Sequence, residues 1–519
     1  MHTQRLWLRA QQHIADGRLD AAASNLQSLL EREPGNAQAR MLLSSVALGR
    51  GQLRQGCAEA IAAAQTLPDD AEMIATVAMC LFRVGETVAT RQCMQHPAIA
   101  RTRDGAALAR LAHVWQMLGE HASALALMDR AKALGFDNPE FRYFRALQLQ
   151  FNGRLHEAER EIEDCLRLGP THGRASLTLA RLHRQSAQHH HLDYIAQQLS
   201  RVEPGSEDHA AFEFARYKEL EDLGRFDEAW AALLRGNAVM AARNPHDAAL
   251  EQRLFARLQQ HCTPAFLAEP ASDDGATPQP IFVLGLPRSG TTLLERLLGK
   301  HAAIAAPGEL PDFPRQLRWC ADVHGTSLLD ERVLDRLAVI DYAQLGQRYL
   351  AQTQWHAGAR PRYVDKLPSN YMLAGLIHKA LPCAPILHLA RAPLDVCFSN
   401  YRALFGDAHN YSYSLDDMAV HYRRYRALMA HWHAAMPGVI LDVDYATLVS
   451  DTEAVMRRVL AHCKLPFDAA CTESTGAGAP VSTLSSAQVR EPIHRRGVDA
   501  WRRYESQLTP LRNALADLL

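Results

Sequence analysis

Cysteine pairs are missing from this sequence. Its ten cysteines stand singly, at Cys57, Cys80, Cys93, Cys165, Cys262, Cys320, Cys383, Cys397, Cys463 and Cys471, and no two share a CxxC spacing. That excludes a zinc ribbon and a thioredoxin-like site. In so long a chain a disulfide framework is not expected either; the thiols are expected to be reduced and buried. Long apolar runs are missing too. Met1 to Leu30 carries charges throughout and holds no apolar leader core, and no run approaches the length needed to span a bilayer. The expectation is a cytoplasmic protein without a membrane partner. Nor is there an excess of one charge: 56 Lys plus Arg face 57 Asp plus Glu. A balanced chain lacks the broad basic field of a nucleic-acid binder, although local basic pockets remain open to it. What is present, 48% hydrophobic and 22% charged residues over 519 positions, is a globular composition with room for two or three domains.

A period of 34 residues runs through the first half. Gly17, Gly51, Gly85, Gly119 and Gly153 keep that spacing, and seven residues before each stands a small side chain: Ala10, Ser44, Ala78, Ala112 and Ala146. Ala180 and Ala187 continue the series. Pro34 and Pro68 are one period apart, as are Pro170 and Pro204. This period fits two antiparallel helices per unit, with the small residue at the close approach, Gly in the turn and Pro stopping the second helix. Gly17-Arg18-Leu19-Asp20-Ala21-Ala22 returns as Gly153 to Ala158 and Gly224 to Ala229. From Ala187 to Gly224 the spacing is 37, so the register slips, and His189-His190-His191 reads as a polar loop there rather than a metal site. These residues resemble the tetratricopeptide repeat over roughly positions 4 to 240. The resemblance implies a concave groove for a peptide or protein partner, with a scaffold or dimerisation surface as the alternative.

Residues Glu269 to Pro280, rich in Pro, Gly, Ser and Asp, read as a linker. The expected organisation is a repeat domain over 1–245, a helical and linker segment over 246–278, and a second domain over 279–519. That domain opens on the apolar strand Ile281-Phe282-Val283-Leu284, the loop Gly285-Leu286-Pro287-Arg288-Ser289-Gly290-Thr291-Thr292 and the helical Leu293 to Leu298. Strand, glycine loop and helix N-terminus make an anion cradle of backbone N–H groups. Ser289, Thr291 and Thr292 add hydroxyls, and Arg288 adds a forked cation. Gly285 and Gly290 keep the Walker spacing, yet Thr291 stands where the Walker Lys should be, which argues for a ligand other than a nucleoside triphosphate. A second strand, Ala384 to Ala390, ends at Arg391, and Ser399 follows eight residues later, so that a cation and a hydroxyl can converge on one phosphate. A third apolar strand, Val439 to Tyr445, carries Asp442 at its middle. A fourth segment, Ser485 to Gly497, has Arg495, Arg496 and Gly497 in a loop suited to close over a phosphorylated ligand.

Pro287-Arg288-Ser289-Gly290-Thr291-Thr292, followed by these segments in order, resembles the sulfotransferases over roughly residues 279 to 505, and their tyrosylprotein branch in particular. The resemblance implies an α/β domain with a parallel sheet behind an all-α repeat solenoid. It also implies 3′-phosphoadenosine 5′-phosphosulfate as co-substrate, no metal, and a hydroxyl acceptor. On this resemblance Arg288, Ser289, Gly290, Thr291 and Thr292 hold the 5′-phosphosulfate, Arg391 and Ser399 the 3′-phosphate, and Tyr445 lies beside the adenosine. Arg495, Arg496 and Gly497 close over the nucleotide, with Arg496 where the family has Lys; Arg keeps that charge but not its shape. Lys366, in Asp365-Lys366-Leu367-Pro368, resembles the Lys that contacts the leaving oxygen, and Glu309, 21 residues after Arg288, the catalytic base. Ser485, with Ser486 as its alternative, is expected to steady the transferring group. The rivals are a P-loop kinase or NTPase, and an inert repeat-based adaptor.

Overall fold

Residues 2–268, 277–473 and 493–519 are described by the computed structural model. Antiparallel helix pairs fill the first half: His2–Ala15 with Leu19–Leu30, Ala37–Gly49 with Leu53–Ala64, Ala71–Arg83 with the short Thr87–Cys93, and Gly105–Met117 with His121–Ala133. Pro139–Phe151 with Leu155–Leu168, Gly173–Leu182 with Leu192–Leu199, and Glu207–Asp222 with Phe226–Arg243 complete the array. Gly17, Gly51, Gly85, Gly119 and Gly153 all take φ between 72° and 88°, the left-handed region that a side chain would strain. Ala10, Ser44, Ala78, Ala112 and Ala146 are at most 1% exposed, so each pair of helices meets on its small residue. Ser44 keeps its hydroxyl satisfied there by donating to Gly56 O at 2.7 Å. A second 34-residue series starts the inner helices: the side chains of Asn36, Asp70, Asp104, Asn138, His172 and Ser206 each accept a helix N–H. At the register slip Ser186 and His189 form an antiparallel bridge, and His191 donates its N–H to buried Glu219 at 2.6 Å.

The second half is built on five parallel strands: β1 Gln279–Leu284, β2 Ile304–Ala305, β3 Arg362–Asp365, β4 Ile386–Ala390 and β5 Ile440–Asp444. They lie in the order β2-β3-β1-β4-β5. β1 is buried along its whole length, as the central strand of a sheet covered on both faces must be. It starts at Gln279, so Pro280 belongs to the sheet and not to the linker. Because β1 pairs with β3 on one side and β4 on the other, its C-terminal end is the point where the chain order reverses. Ligand crevices open at such points.

The two halves share one apolar core. Phe212 and Phe214 of the array cluster with Phe398, Tyr401 and Tyr504 of the sheet domain, and the Trp230 ring lies 5.8 Å from Tyr401 and 5.5 Å from Tyr504. Far along the array, Glu86 accepts from Arg348 at 2.6 Å and Gln352 at 3.0 Å, and Thr87 donates to buried Asp312 at 2.6 Å. The array therefore contacts the sheet domain through two separate stretches. Among the described residues no helix is long and apolar enough to cross a membrane.

Candidate active site

Each of the five strands is followed, past its C-terminal end, by a candidate site residue. Arg288 follows β1, Glu309 β2, Lys366 β3, Arg391 β4 and Tyr445 β5. The loop after β1 is bound on both sides. Gly285 N–H donates to Pro368 O at 3.1 Å, which ties it to the Lys366 segment. Arg391 Nη1 donates to Arg288 O and Asn400 Nδ2 to Pro287 O, both at 2.8 Å. Arg288 is held at φ 66°, a left-handed conformation that a non-glycine residue keeps only where its surroundings impose it. Gly290, at φ 111°, caps the helix Thr291–Leu298. Ser289 is 1% exposed and, among the described residues, its Oγ has no hydrogen-bond partner. A buried hydroxyl left open beside a helix N-terminus suits an anionic oxygen. Thr291 and Thr292 are buried at the first two helical positions.

Lys366 is fully buried, and its Nζ donates to Glu309 Oε1 at 2.7 Å and lies 3.8 Å from Glu295 Oε2. Burial alone would lower its pKa, but Glu309 and Glu295 outweigh burial and raise it, so the ammonium stays charged. Asp365, the partner that a solvated Lys366 would have, instead accepts from Tyr349 at 2.8 Å; its own burial pushes its carboxyl well above the usual range. The Glu309 side chain is 43% exposed. Lys366 N–H donates to Gly308 O at 3.1 Å, which fixes the turn presenting Glu309. Glu295 was not anticipated from sequence. It lies on the buried side of the loop's helix, where burial raises its pKa against the pull of Lys366. An acid among Leu293, Leu294, Leu297 and Leu298 was the available signal.

On the other flank Arg391 stacks its guanidinium 4.8 Å from the Tyr445 ring centre and donates through Nη2 to Gly497 O. Asp395 accepts from Asp499 N–H at 2.9 Å and so anchors the segment carrying Gly497. Tyr445 does not end a strand: it opens the helix Tyr445–Ser450, because Asp444 caps it through Thr447 N–H at 2.7 Å. Arg391, Ser399, Tyr445, Arg496 and Gly497 come together around a cavity of about 520 Å³. Arg495 does not join them; it is exposed and outside the cavity wall. Ser485 and Ser486 lie outside the described residues. Asp442 does not line the cavity; it pairs with His388 Nδ1 at 2.7 Å and His433 Nε2 at 3.1 Å.

Two cations that sequence reasoning missed complete this flank, Arg402 and Arg181. Burial, then Arg402, Arg181 and Arg391, push the Arg288 guanidinium down to about 9. Four guanidiniums that repel one another around a crevice are relieved by an anion. Arg391 Nε, like Ser289 Oγ, is buried without a hydrogen-bond partner among the described residues. The open donors, the glycine cradle and the cation cluster fit a nucleotide carrying charge at both ends.

The site is thus an α/β sheet crevice with a glycine loop after its central strand, a buried Lys366 paired to the exposed Glu309, and a basic flank. Residues 280–469 match the model described as the sulfotransferase family. An uncharacterized protein of Aquifex aeolicus is 34% identical over 313 residues, covering 57% of this chain and 40% of that protein. Protein-tyrosine sulfotransferase A of Caenorhabditis elegans is 26% identical over 258 residues, covering 44% of this chain and 63% of that one. The chain thus spans less than two thirds of either relative's length. Among solved structures, the sulfotransferase domain from the curacin biosynthetic pathway aligns with a TM-score of 0.33 at 18% identity, over 46% of this chain and 97% of that one.

Proposed function

We propose that the chain is a sulfotransferase that moves a sulfuryl group from 3′-phosphoadenosine 5′-phosphosulfate to a hydroxyl acceptor, with peptide tyrosine as the acceptor class. The observation that carries this reading is the pair Lys366–Glu309, 2.7 Å apart, where the Lys366 segment is hydrogen-bonded to the phosphate loop. The bound donor supplies a sulfuryl group joined to phosphate through a bridging oxygen. Glu309, exposed, takes the proton of the acceptor hydroxyl as the new O–S bond forms. Lys366, buried and held charged, sits to neutralise the negative charge left on the bridging oxygen when the old S–O bond breaks. Arg288 and the loop N–H groups hold the charged oxygens in line, as in phosphoryl transfer. Thr291 in place of the Walker Lys disfavours a nucleoside triphosphate. A tyrosine acceptor is supported by the likeness to protein-tyrosine sulfotransferases, and by the mild acidity of a phenol, which a carboxylate base suits.

The test is a labelled-sulfate transfer screen of the full chain on tyrosine peptides, simple phenols and glycans. Transfer to the tyrosine peptide is the expected result. Transfer only to a glycan would remove the acceptor class and keep the reaction. No transfer to any acceptor, with tight ATP–Mg binding, would replace the reading with a kinase or NTPase.

A further inference from the structure

The donor reading draws only on the sheet domain, yet the cavity beside Arg391 has a second wall made by the repeat array. Arg181, in the last turn of the helix Gly173–Leu182, lines that cavity together with Arg391, Ser399 and Arg402. It also lines an adjoining cavity of about 480 Å³ that opens along the inner helices of the array, with Arg288, Ser399 and Arg402 in both walls. Around the first cavity eight Arg or Lys side chains face two carboxylates. Both carboxylates are engaged: Glu221 accepts from Tyr217 at 2.9 Å and lies 3.4 Å from Arg402, and Asp222 pairs with Lys218. Among the described residues Arg181 has no acidic partner; its electrostatic neighbours are Arg402 and the phenols Tyr143 and Tyr217. Burial and Arg402 push its guanidinium down to about 10. A half-buried cation set beside another cation, with no carboxylate of its own, is costly unless a ligand anion compensates it.

We infer that Arg181 is a nucleotide-binding residue contributed by the repeat array, and that with Arg402 and Arg391 it grips the terminal 3′-phosphate of the donor. This inference rests on the donor reading above. A phosphomonoester carries about −1.5 to −2 charge at neutral pH and offers three acceptor oxygens, enough for several forked guanidiniums. The tetratricopeptide region is then part of the donor site as well as a surface for partners, and donor occupancy and the array's docking become linked.

The test is calorimetric titration of the full chain with adenosine 3′,5′-bisphosphate and with adenosine 5′-monophosphate, for wild type, Arg181→Met and Arg181→Lys. Arg181→Met is expected to weaken the bisphosphate by about tenfold or more, the scale of one charge-assisted hydrogen bond, and the monophosphate by less than about threefold. Arg181→Lys is expected to fall between. Retained monophosphate binding also shows that the variant is folded; if Arg181→Met does not fold, Arg181→Lys carries the comparison. An unchanged bisphosphate affinity, or equal losses for both nucleotides, overturns the assignment while leaving the donor reading in place. Wild-type protein that binds neither nucleotide overturns both.

Discussion

A Cβ atom on Gly290 would stand 2.5 Å from Cδ2 of Tyr445 and 2.8 Å from its Cε2. The phosphate loop is thus shaped against a ring that also carries Arg391 on it, 4.8 Å away. Loop, ring and guanidinium form one unit, and disturbing the first displaces the last. Gly290→Ala meets the ring and also strains φ 111°. It is expected to weaken adenosine 3′,5′-bisphosphate binding by at least about tenfold, through about 1–3 kcal/mol of loop strain. Tyr445→Ala in the same background relieves the contact but not the backbone, so binding should remain weak. Calorimetry on wild type and the two variants decides it; wild-type affinity in Gly290→Ala would show that the loop does not hold the nucleotide.

Glu309→Gln keeps the side chain's size and removes its ability to take a proton. Because Glu309 is exposed and is not part of the phosphate cradle, the bisphosphate affinity should stay within about threefold while kcat falls by about 10²- to 10⁴-fold, the usual range for a general base. Steady-state kinetics beside calorimetry read the two effects separately. A kcat that does not move would remove Glu309 from proton transfer.

Lys366 has a structural duty beside its proposed chemical one, and a double variant separates them. Lys366→Met leaves Glu295 buried next to Glu309 with no ammonium between them. The loss in unfolding free energy should be about 3 kcal/mol, the scale of an uncompensated buried charge. Adding Glu295→Gln should recover most of that stability without recovering turnover. Urea unfolding and transfer assays on the same preparations test both halves; turnover that returns with stability would make Lys366 a scaffold residue only.

The parts that could be read from sequence are those that local chemistry dictates. A turn that needs positive φ forces Gly at Gly17 and at each period through Gly153, and a phosphate cradle needs Gly290 followed by hydroxyls. A second periodic signal, the capping series from Asn36 to Ser206, lay in the same spacing and went unread because its residue type varies between Asn, Asp, His and Ser. Tyr445 was placed at a strand end because an apolar run gives no warning that Asp444 will cap a helix. Glu295, Asn400, Arg402 and Arg181 could not be found that way. Their roles come from tertiary neighbours far along the chain, as when Asn400 reaches Pro287, 113 positions away, or Arg181 faces Arg288 across the domain boundary.

Glu251 joins the segment after the array to the helix Leu415–Ala435, accepting from His421 Nδ1 at 2.5 Å and Arg424 at 2.6 Å. Burial alone would raise its carboxyl, but His246, His421 and Arg424 outweigh that and hold it well below the ordinary carboxylate range. A carboxyl depressed in the folded state binds its proton more readily when unfolded. Its stabilisation is therefore fully present above the unfolded pKa, about 4.3, and is lost as pH falls below it toward the folded value. Burial also lowers His421, against the pull of Glu251, which adds an acid-side loss of the same sign that persists when Glu251 is replaced. Unfolding free energies of wild type should drop steadily below about pH 5. Glu251→Gln should be less stable at neutral pH by about 3 kcal/mol, and its curve should fall less steeply in acid, so that the two converge. Parallel curves over that window would mean that the acid sensitivity arises elsewhere and that this contact between the segment after the array and the helix Leu415–Ala435 is not held by charge.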